Sequence, residues 1–429
     1  MFCQLELLRQ CFPPSVRHIL EELPDSLDET YERILKEIRK PNQGHAHRLL
    51  QCLVVAVRPL RIEELAELLA FDFQTGGMPK LNPGWRWEDQ EEAVTSACSS
   101  FVAIVKDGDS RVVQFSHFSV KEFLTADRLA EPMRDVSRYH IRLDAAQTIL
   151  AQACLGVLLR LDESVDRDSI KGFPLARYAA ECWPTHARVG DVALRVKDGM
   201  DRLFDADKPH FATWLWVHGG PWTTRSEEPR GAPLYHAARL GFRDLAERLI
   251  VKHPEHVNLN SRNTPYGIPM HVAVREDHVN VLSLLIEHAA DMECLNESGS
   301  GFTPLNCASW DGRLEVGKCL LDRGANIETR DSQGHTPLIN AVEQGHVEFA
   351  RLLLERGAVI DAHNNHGRTA LHFAAEYGST QTVQLLLKHG ADVNVRNSFG
   401  HTPSEMASSK GHQEVVELIA AYGTESVNN

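Results

Sequence analysis

The chain has 429 residues, of which 43% are hydrophobic and 24% charged, and its formal net charge is −14. This length predicts two or three domains. No apolar run approaches the roughly 18 residues that a membrane-spanning helix requires, and the acidic balance disfavours binding to nucleic-acid phosphates. Nine cysteines with no C-x-x-C pair are typical of reduced thiols. We therefore expect a cytoplasmic protein with no membrane or nucleic-acid partner.

The first third of the chain predicts helices that surround one hairpin. Apolar periodicity predicts helices within residues 1–40, 45–57, 61–69, 91–100 and 119–129. Between the last two, a pair of β-prone runs flanks Asp107 and Gly108, a dipeptide typical of a tight hairpin. Helices followed by a hairpin are the layout of a winged helix. Residues 1–136 are therefore interpreted as a helical and winged-helix module.

The next segment, residues 137–226, matches no motif and is interpreted as a helical connector. It is rich in large aromatic residues, namely Trp183, Phe204, Phe211, Trp214, Trp216 and Trp222. We expect these side chains to be buried against the domain that follows, rather than to line a ligand pocket.

Residues 227–429 repeat a Thr-Pro-Leu type of anchor six times. The second residues of the anchors are Pro233, Pro269, Pro304, Pro337, Ala370 and Pro403, at spacings of 36, 35, 33, 33 and 33. Threonine before proline predicts a helix start, and the recurring glycines predict left-handed helix ends. One such unit cannot bury its own apolar face, so neighbours must stack in a row.

The period and the anchor resemble the ankyrin repeat. The fold class is therefore predicted to be mainly α: a helical and winged-helix N-terminal module, a helical connector, and a C-terminal ankyrin-repeat solenoid of about six repeats. The link between the first two repeats, residues 253–266, is longer and irregular, which leaves its geometry open.

Two segments of the N-terminal module resemble fungal NACHT–ankyrin proteins, which are signalling NTPases of the nucleotide-binding, oligomerising type. The segments are residues 23–35, LPDSLDETYERIL, and residues 115–124, FSHFSVKEFL. The resemblance implies that they bracket the winged-helix region that follows the NTPase core, and that the ankyrin array is the C-terminal sensor. Such a winged helix packs against the NTPase and gates it.

The phosphate-binding loop of an NTPase, G-x-x-x-x-G-K-[ST], has one near match, residues 312–319. That match ends in Cys319 instead of a hydroxyl residue, and it falls inside a predicted helix of the third repeat. We therefore expect the regulatory winged-helix and ankyrin half of such a protein without the NTPase core. It is either a complete short paralogue or part of a longer product.

No pattern predicts catalysis, a cofactor or a metal site. The 22 histidines largely follow the spacing of the repeats, and neither H-E-x-x-H nor G-x-S-x-G occurs. The candidate recognition helix of the winged helix begins with the acidic run EDQEE at residues 88–92, which would repel phosphates. Binding to DNA is therefore only a remote alternative.

The sequence favours a non-enzymatic intracellular protein–protein interaction protein, the sensor or scaffold part of a signalling system. The alternative is a regulatory fragment that packs on a nucleotide-binding core. In ankyrin arrays the concave helix face and the loops called fingers bind partners. Here those positions are Trp310, Asp311, Asn340, Glu343, Phe373, Glu376, Tyr377, Arg330, His363, Arg368, Arg396 and Phe399.

The four aromatic residues among these positions are expected to face solvent and to act as anchors in an interface. Residues 231–429 contain 16 Lys and Arg against 24 Asp and Glu, so the array is acidic. We therefore expect a protein partner that presents a basic patch with an apolar centre.

Overall fold

The structure is a computed structural model, and it describes residues 26–73, 77–131, 135–219, 232–252, 259, 268–296 and 299–425. The chain divides into two compact units, Met1–Glu227 and Glu228–Asn429. Most of the link over residues 253–266, the first 25 residues of the predicted helical region and Trp222 lie outside the described residues. Within those residues, no helix combines the length and the apolar character needed to cross a lipid bilayer.

The first unit is built from ten helices and five short strands in its described part. The helices are α1 Leu27–Glu37, α2 Gln43–Val55, α3 Ile62–Glu67, α4 Gln90–Cys98, α5 Phe118–Thr125, α6 Leu143–Leu158, α7 Ala176–Ala187, α8 Val192–Arg195, α9 Lys197–Leu203 and α10 His210–Gly219. The strands are β1 Leu60–Arg61, β2 Phe71–Asp72, β3 Lys80–Leu81, β4 Val102–Asp107 and β5 Ser110–Phe115. They form two antiparallel sheets, of order β1-β5-β4 and β2-β3.

The predicted hairpin is confirmed as the pair β4 and β5. Its strands pair antiparallel from Val102 opposite Phe115 to Asp107 opposite Ser110, and Gly108 takes the positive φ of 57° that its tight turn requires. The third strand, β1, was not predicted. It is only two residues long and is held by pairing with β5.

The two segments that resemble the NACHT–ankyrin family meet in the core of this unit. Tyr31 of α1 is buried, and its hydroxyl lies 2.8 Å from the hydroxyl of Ser119 on α5. The Tyr31 ring also packs at 5.2 Å from the ring of Phe123 and at 5.8 Å from that of Phe101, measured between centroids. The first motif therefore supplies a side chain that holds the second in place.

Two buried carboxylates stabilise α3 and tie it to the connector. Glu64 accepts two hydrogen bonds from the Arg58 guanidinium at 2.8 Å and one from the backbone N–H of Arg61, which caps the helix. Burial opposes its ionisation, but Arg58 and Arg61 prevail and lower the pKa of Glu64. Glu67 accepts the backbone N–H of Leu175 at 2.7 Å, 108 residues along the chain. The winged helix and the connector are therefore parts of one unit.

The connector has an aromatic core of its own. Trp183, Phe204, Phe211 and Trp214 are buried, and their rings contact one another with centroids 5.1–6.0 Å apart. The indole N–H of Trp214 donates to the carbonyl of Ala180 at 3.1 Å. These four rings are buried, and the ring contacts shown lie within the connector, whereas the expectation placed them against the domain that follows.

The second unit consists of six antiparallel helix pairs in its described part. They are α11 Ala232–Leu240 with α12 Arg243–Lys252, α13 Pro269–Arg275 with α14 Val279–Glu287, α15 Pro304–Asp311 with α16 Leu314–Asp322, α17 Pro337–Glu343 with α18 Val347–Glu355, α19 Ala370–Glu376 with α20 Thr380–Lys388, and α21 Pro403–Ser409 with α22 Gln413–Glu425. Each helix pair coincides with one predicted repeat, so the solenoid of six repeats is confirmed. The phosphate-loop-like residues 312–319 lie largely in α16, as predicted.

Threonine starts the inner helix of several repeats. The hydroxyls of Thr303, Thr336 and Thr402 accept the backbone N–H three residues later, and a proline follows each threonine. The hydroxyl satisfies a donor that the helix leaves unpaired, and the missing N–H of proline costs nothing at this position. The anchor in the sequence therefore fixes where each repeat begins.

A histidine joins some repeats to their predecessors through one recurring contact. The Nε2 atoms of His346 and His412 lie 2.9 and 3.0 Å from the carbonyl oxygens of Trp310 and Glu376. The ring of His346 passes so close to Gly312 that a Cβ there would lie 2.5 Å from Nδ1, and Gly312 also has a φ of +65°. Glycine is therefore required at position 312 for two reasons: the backbone has a positive φ, and a side chain there would collide with the His346 ring.

Candidate partner-binding face of the repeat array

The three loops between repeats that the structure describes in full form fingers, residues 330–335, 363–368 and 396–401. In the first, the carboxylate of Asp331 accepts the backbone N–H groups of Gln333 and His335 at 2.8 Å. Asn364 and Asn397 make the same two contacts in the next fingers at 2.9–3.0 Å, and all three side chains are buried. Each finger is thus fixed from inside, and its remaining side chains project from a defined backbone.

Three aromatic side chains remain exposed on this part of the array. Trp310, on the last turn of α15, is 37% exposed and its ring lies 5.6 Å from that of Phe302. Tyr377, just after α19, is 57% exposed. Phe399, at the tip of the last finger, is 70% exposed, and its ring stacks at 6.4 Å on His366. Exposed rings of this kind can supply buried area at small cost in side-chain entropy when a partner binds.

Two carboxylates occupy the same position of neighbouring inner helices beside these rings. Glu376 forms ion pairs with the guanidinium of Arg368 and with Lys410, whose Nζ lies 3.5 Å away. Glu343 lies with Oε2 at 3.4 Å from Nδ1 of His335. Burial raises the pKa of Glu343, although His335 and Arg368 act in the opposite direction. Glu343 therefore has weaker neutralising contacts than Glu376.

The expectation that Phe373 and Asn340 face solvent is wrong. Phe373 is 2% exposed, because the Arg368 guanidinium covers its ring at 3.9 Å and the His335 ring packs against it at 5.3 Å. Asn340, at the equivalent position one repeat earlier, is fully buried. This position of the inner helix lies beneath the fingers, so neither side chain can contact a partner without rearrangement.

The predicted finger residues lie at the surface. Arg330, His363 and Arg396 occupy one position in three successive fingers, and all three are exposed. Arg330 donates through Nη1 to the carbonyl of His363 at 2.6 Å, and Arg396 donates to that of Gly400 at 2.5 Å. Asp311, at the end of α15, is exposed as well. Their participation in binding stays a prediction.

Sequence reasoning missed His335, which links the first finger to the inner helices. Its Nε2 lies 2.9 Å from the amide nitrogen of Asn364, and its Nδ1 faces Asp331 and Glu343. The equivalent residues of neighbouring repeats are Phe302 and Arg368, so the repeat pattern carries no signal for a histidine here.

The thiol on this face is poorly reactive. Burial raises the pKa of Cys307, the thiol on α15, to about 12, which keeps it protonated and poorly nucleophilic. Among the residues that the structure describes, no group of three or more His, Cys, Asp or Glu side chains could hold a metal ion. The exposed groups are instead rings, guanidinium groups and carboxylates.

Comparison with known families accounts for the repeat array and for part of the first unit. The family described as ankyrin repeats matches residues 234–331, 301–364, 318–397 and 360–429. Residues 234–429 are an ankyrin-repeat array. A second family, described as the winged helix domain of GPI inositol-deacylase, matches residues 31–133. The predicted winged helix is therefore present, and it coincides with the helices and hairpin around Tyr31.

Similar proteins share parts of this architecture. "Azaphilone pigments biosynthesis cluster protein L" from Monascus ruber is 32% identical over 296 residues, which cover 64% of this chain and 61% of that protein. "Ankyrin repeat and SAM domain-containing protein 6" from Mus musculus is 39% identical over 104 residues, or 24% of this chain and 11% of that protein. The chain thus spans less than two thirds of the length of either relative.

Proposed function

We propose that this chain is a non-enzymatic, intracellular interaction protein that binds a protein partner through the inner helices and fingers of repeats three to six. Ankyrin repeats are non-catalytic scaffolds that support protein–protein interaction. The observation that carries the proposal is the exposure of three rings on repeats three to six, Trp310, Tyr377 and Phe399, on an array whose inner helices also present Glu343 and Glu376. Aromatic residues surrounded by polar groups are the usual anchors of protein interfaces.

The chemistry of this surface also indicates the partner. Glu343 has weaker neutralising contacts than Glu376, and the whole array has an excess of acidic over basic residues. A complementary surface would carry lysine or arginine around an apolar centre that receives the rings. Because such attraction acts over a distance, association should slow as the salt concentration rises.

The test is capture of a partner from the producing cells with the full chain as bait, followed by affinity measurement with the purified partner. Trp310→Ala and Tyr377→Ala should each weaken binding by about 2 kcal/mol, whereas Glu343→Gln should weaken it less. Phe118→Ala is the control, since Phe118 is an exposed aromatic residue of the winged helix, outside the repeat array. Each variant is first checked for an unchanged melting temperature.

Two outcomes would count against this assignment. If both aromatic variants bind the purified partner as tightly as the wild type, the inner face is not the binding surface. If Phe118→Ala alone weakens binding, the winged helix is the recognition element instead.

The second candidate function is that of a regulatory fragment of a NACHT-type switch, which packs on a nucleotide-binding core. It is favoured by the winged-helix match over residues 31–133 and by the contact between the two family-like segments through Tyr31 and Ser119. Genomic sequence upstream of the codon for Met1 distinguishes the candidates. An in-frame phosphate-binding loop there would make the chain part of a larger switch.

Charge argues against a DNA-binding role for the winged helix. Arg111 on the hairpin forms an ion pair with Glu91 at the start of α4, so a cation that could contact phosphate is already engaged. Glu92 adds a further negative charge to the same helix turn.

The purified chain is also expected neither to bind nor to hydrolyse ATP. Lys318, in the loop-like segment, is paired with Glu315 at 2.8 Å on α16.

A further inference from the structure

A cavity of about 660 Å³ opens in the first unit between the wing of the winged helix and the connector. It is lined by β1, the tip of the β4–β5 hairpin, the segment that leads into α7, and α10. We call it the connector cavity. Its volume lies within the range of sites that bind small molecules, about 300–1,000 Å³.

Five of the residues that line the connector cavity are apolar. They are Ile170, Phe173, Pro174, Trp216 and Val217. Trp216 is only partly buried, unlike Trp183 and Trp214 of the aromatic core. Trp216 therefore contributes to the lining of the cavity, whereas Trp183 and Trp214 lie in the aromatic core.

The remaining lining is rich in positive charge. Its cations are Arg61, Arg111, Arg167, Lys171 and Arg177, and its carboxylates are Glu63 and Asp109. Arg61 and Arg111 already form ion pairs with Glu64 and Glu91, so the three cations of the connector remain for a ligand. This concentration runs against the character of a chain whose net charge is −14. The three cations of the connector come from a single stretch of eleven residues, 167–177, that leads into α7.

The cations have contacts that an incoming anion can replace. Lys171 pairs with Asp168 and Arg177 with Glu181, and both cations are more than two-thirds exposed. Exposed ion pairs of this kind contribute little to stability, so exchanging one for a ligand costs little. Among the described residues, Arg167 has no hydrogen-bond or ion-pair partner. A guanidinium without a partner is suited to bind a carboxylate or phosphate through two hydrogen bonds.

We propose that the connector cavity binds a small organic anion, with its carboxylate or phosphate held by Arg167, Lys171 and Arg177 and its apolar body against Trp216 and Phe173. The inference concerns the first unit alone and does not depend on partner binding by the repeats. The ligand needs both an anionic group and an apolar body, because the residues that line the cavity are both cationic and aromatic.

The experiment is isothermal titration of the full chain with three probes that share one ring system. Naphthoate and naphthyl phosphate carry the two candidate head groups, and naphthalenemethanol is the neutral control. We expect saturable binding of at least one anion, at least about tenfold tighter than binding of the alcohol. The tighter of the two anions identifies the head group.

Variants then place the binding site. Arg167→Ala should weaken binding of the anion about tenfold, and Trp216→Leu should weaken it about fivefold. Arg195→Ala is the matched control, because Arg195 is an exposed arginine on α8 outside the cavity, and it should change nothing. If melting shows that Trp216→Leu disturbs the fold, the double variant Lys171→Ala and Arg177→Ala replaces it, since both side chains are exposed.

Three results would overturn the proposal. The first is no saturable binding of either anion up to millimolar concentration. The second is equal affinity for the alcohol, which would indicate nonspecific apolar adsorption. The third is binding that Arg167→Ala leaves unchanged, which would place the anion elsewhere.

Discussion

The two units of this protein reach stability in different ways. In the first unit each key contact occurs once and joins distant parts of the chain, as when Glu67 accepts the N–H of Leu175 or Tyr31 meets Ser119. In the repeat array the same contact recurs at intervals of one repeat, as in the histidine bonds of His346 and His412. Loss of a contact should therefore be harder to compensate in the first unit than in the array.

The largest effect is expected from Trp183→Ala in the aromatic core of the connector. Trp183 is fully buried and contacts Phe204 and Trp214, so its removal leaves a large cavity and should cost about 3–5 kcal/mol. Urea unfolding monitored by hydrogen exchange in α7 measures the loss. Trp87→Ala is the control, because Trp87 is 46% exposed and should change stability by less than about 0.5 kcal/mol. Similar losses in the two variants would show that the connector lacks a packed core.

In the array, Leu386→Ala tests the packing of the fifth repeat. Leu386 on α20 is fully buried, and its truncation should cost about 2–5 kcal/mol, near the low end if neighbouring repeats close around the gap. The measurement is urea unfolding followed by exchange in α18, α20 and α22. Val359→Ala, at a position 55% exposed, is the control. A shift below about 0.5 kcal/mol for Leu386→Ala would mean that the assigned helix face is wrong.

Acid should destabilise the first unit through His186. Its ring lies 2.9 Å from the Tyr178 hydroxyl and 2.6 Å from Oε1 of Gln147, and burial lowers the pKa of His186 from 6.5 to about 4. Between these values the unfolded chain binds a proton that the folded chain does not. Stability therefore falls as pH decreases through this window, by up to about 1.4 kcal/mol per pH unit.

Comparison with His186→Gln isolates this contribution. At pH 7.5 the variant should be less stable by about 1 kcal/mol, because it loses hydrogen bonds. At pH 5 the difference should have shrunk or reversed, since glutamine does not titrate. The measurement is the urea midpoint of wild type and variant at the two pH values. If both proteins lose stability equally between pH 7.5 and pH 5, His186 is not the group responsible.

The smallest effect is a gain. The fifth repeat has Ser379 where its neighbours have His346 and His412, and a Cβ on the facing Gly345 would meet no atom within 4 Å. Ser379→His should supply the missing bond, to the carbonyl of Glu343, and add about 1 kcal/mol. Ser379→Ala controls for the lost serine hydroxyl. No increase in the urea midpoint relative to the wild type would show that the bond depends on more than the histidine.

Local signals in the sequence predicted most of the architecture. The Asp107-Gly108 pair predicted the hairpin, and threonine before proline predicted where the inner helices begin. Both features depend mainly on residues that are adjacent in the sequence. The strand β1 was not predicted, because it has only two residues and its extended conformation depends on pairing with β5, which is distant in sequence. The connector cavity was equally invisible, since its walls come from residues as far apart as Arg61 and Val217.

The candidate binding face was predictable only in part. Periodicity identified the inner helices and the fingers, and Trp310, Tyr377 and Phe399 are indeed exposed. Phe373 was misjudged because its cover comes from Arg368 in one finger and His335 in another. A repeat pattern specifies which helix face points inward, but not which neighbouring side chain lies over it.

Hydrogen bonds between adjacent loops recur along the array at an interval of 33 residues. The backbone N–H groups of Asn326, Val359 and Asp392, each 33 residues apart, are accepted by the carboxylates of Glu293, Glu328 and Asp361 at 2.8–3.1 Å. Deleting one residue between the donor and the acceptor of one such contact would misalign that contact, while the contacts between later repeats would keep their register. Excising 33 residues would instead bring equivalent positions together and restore the pattern. Genes that encode such arrays can therefore lose or gain whole repeats more readily than single codons.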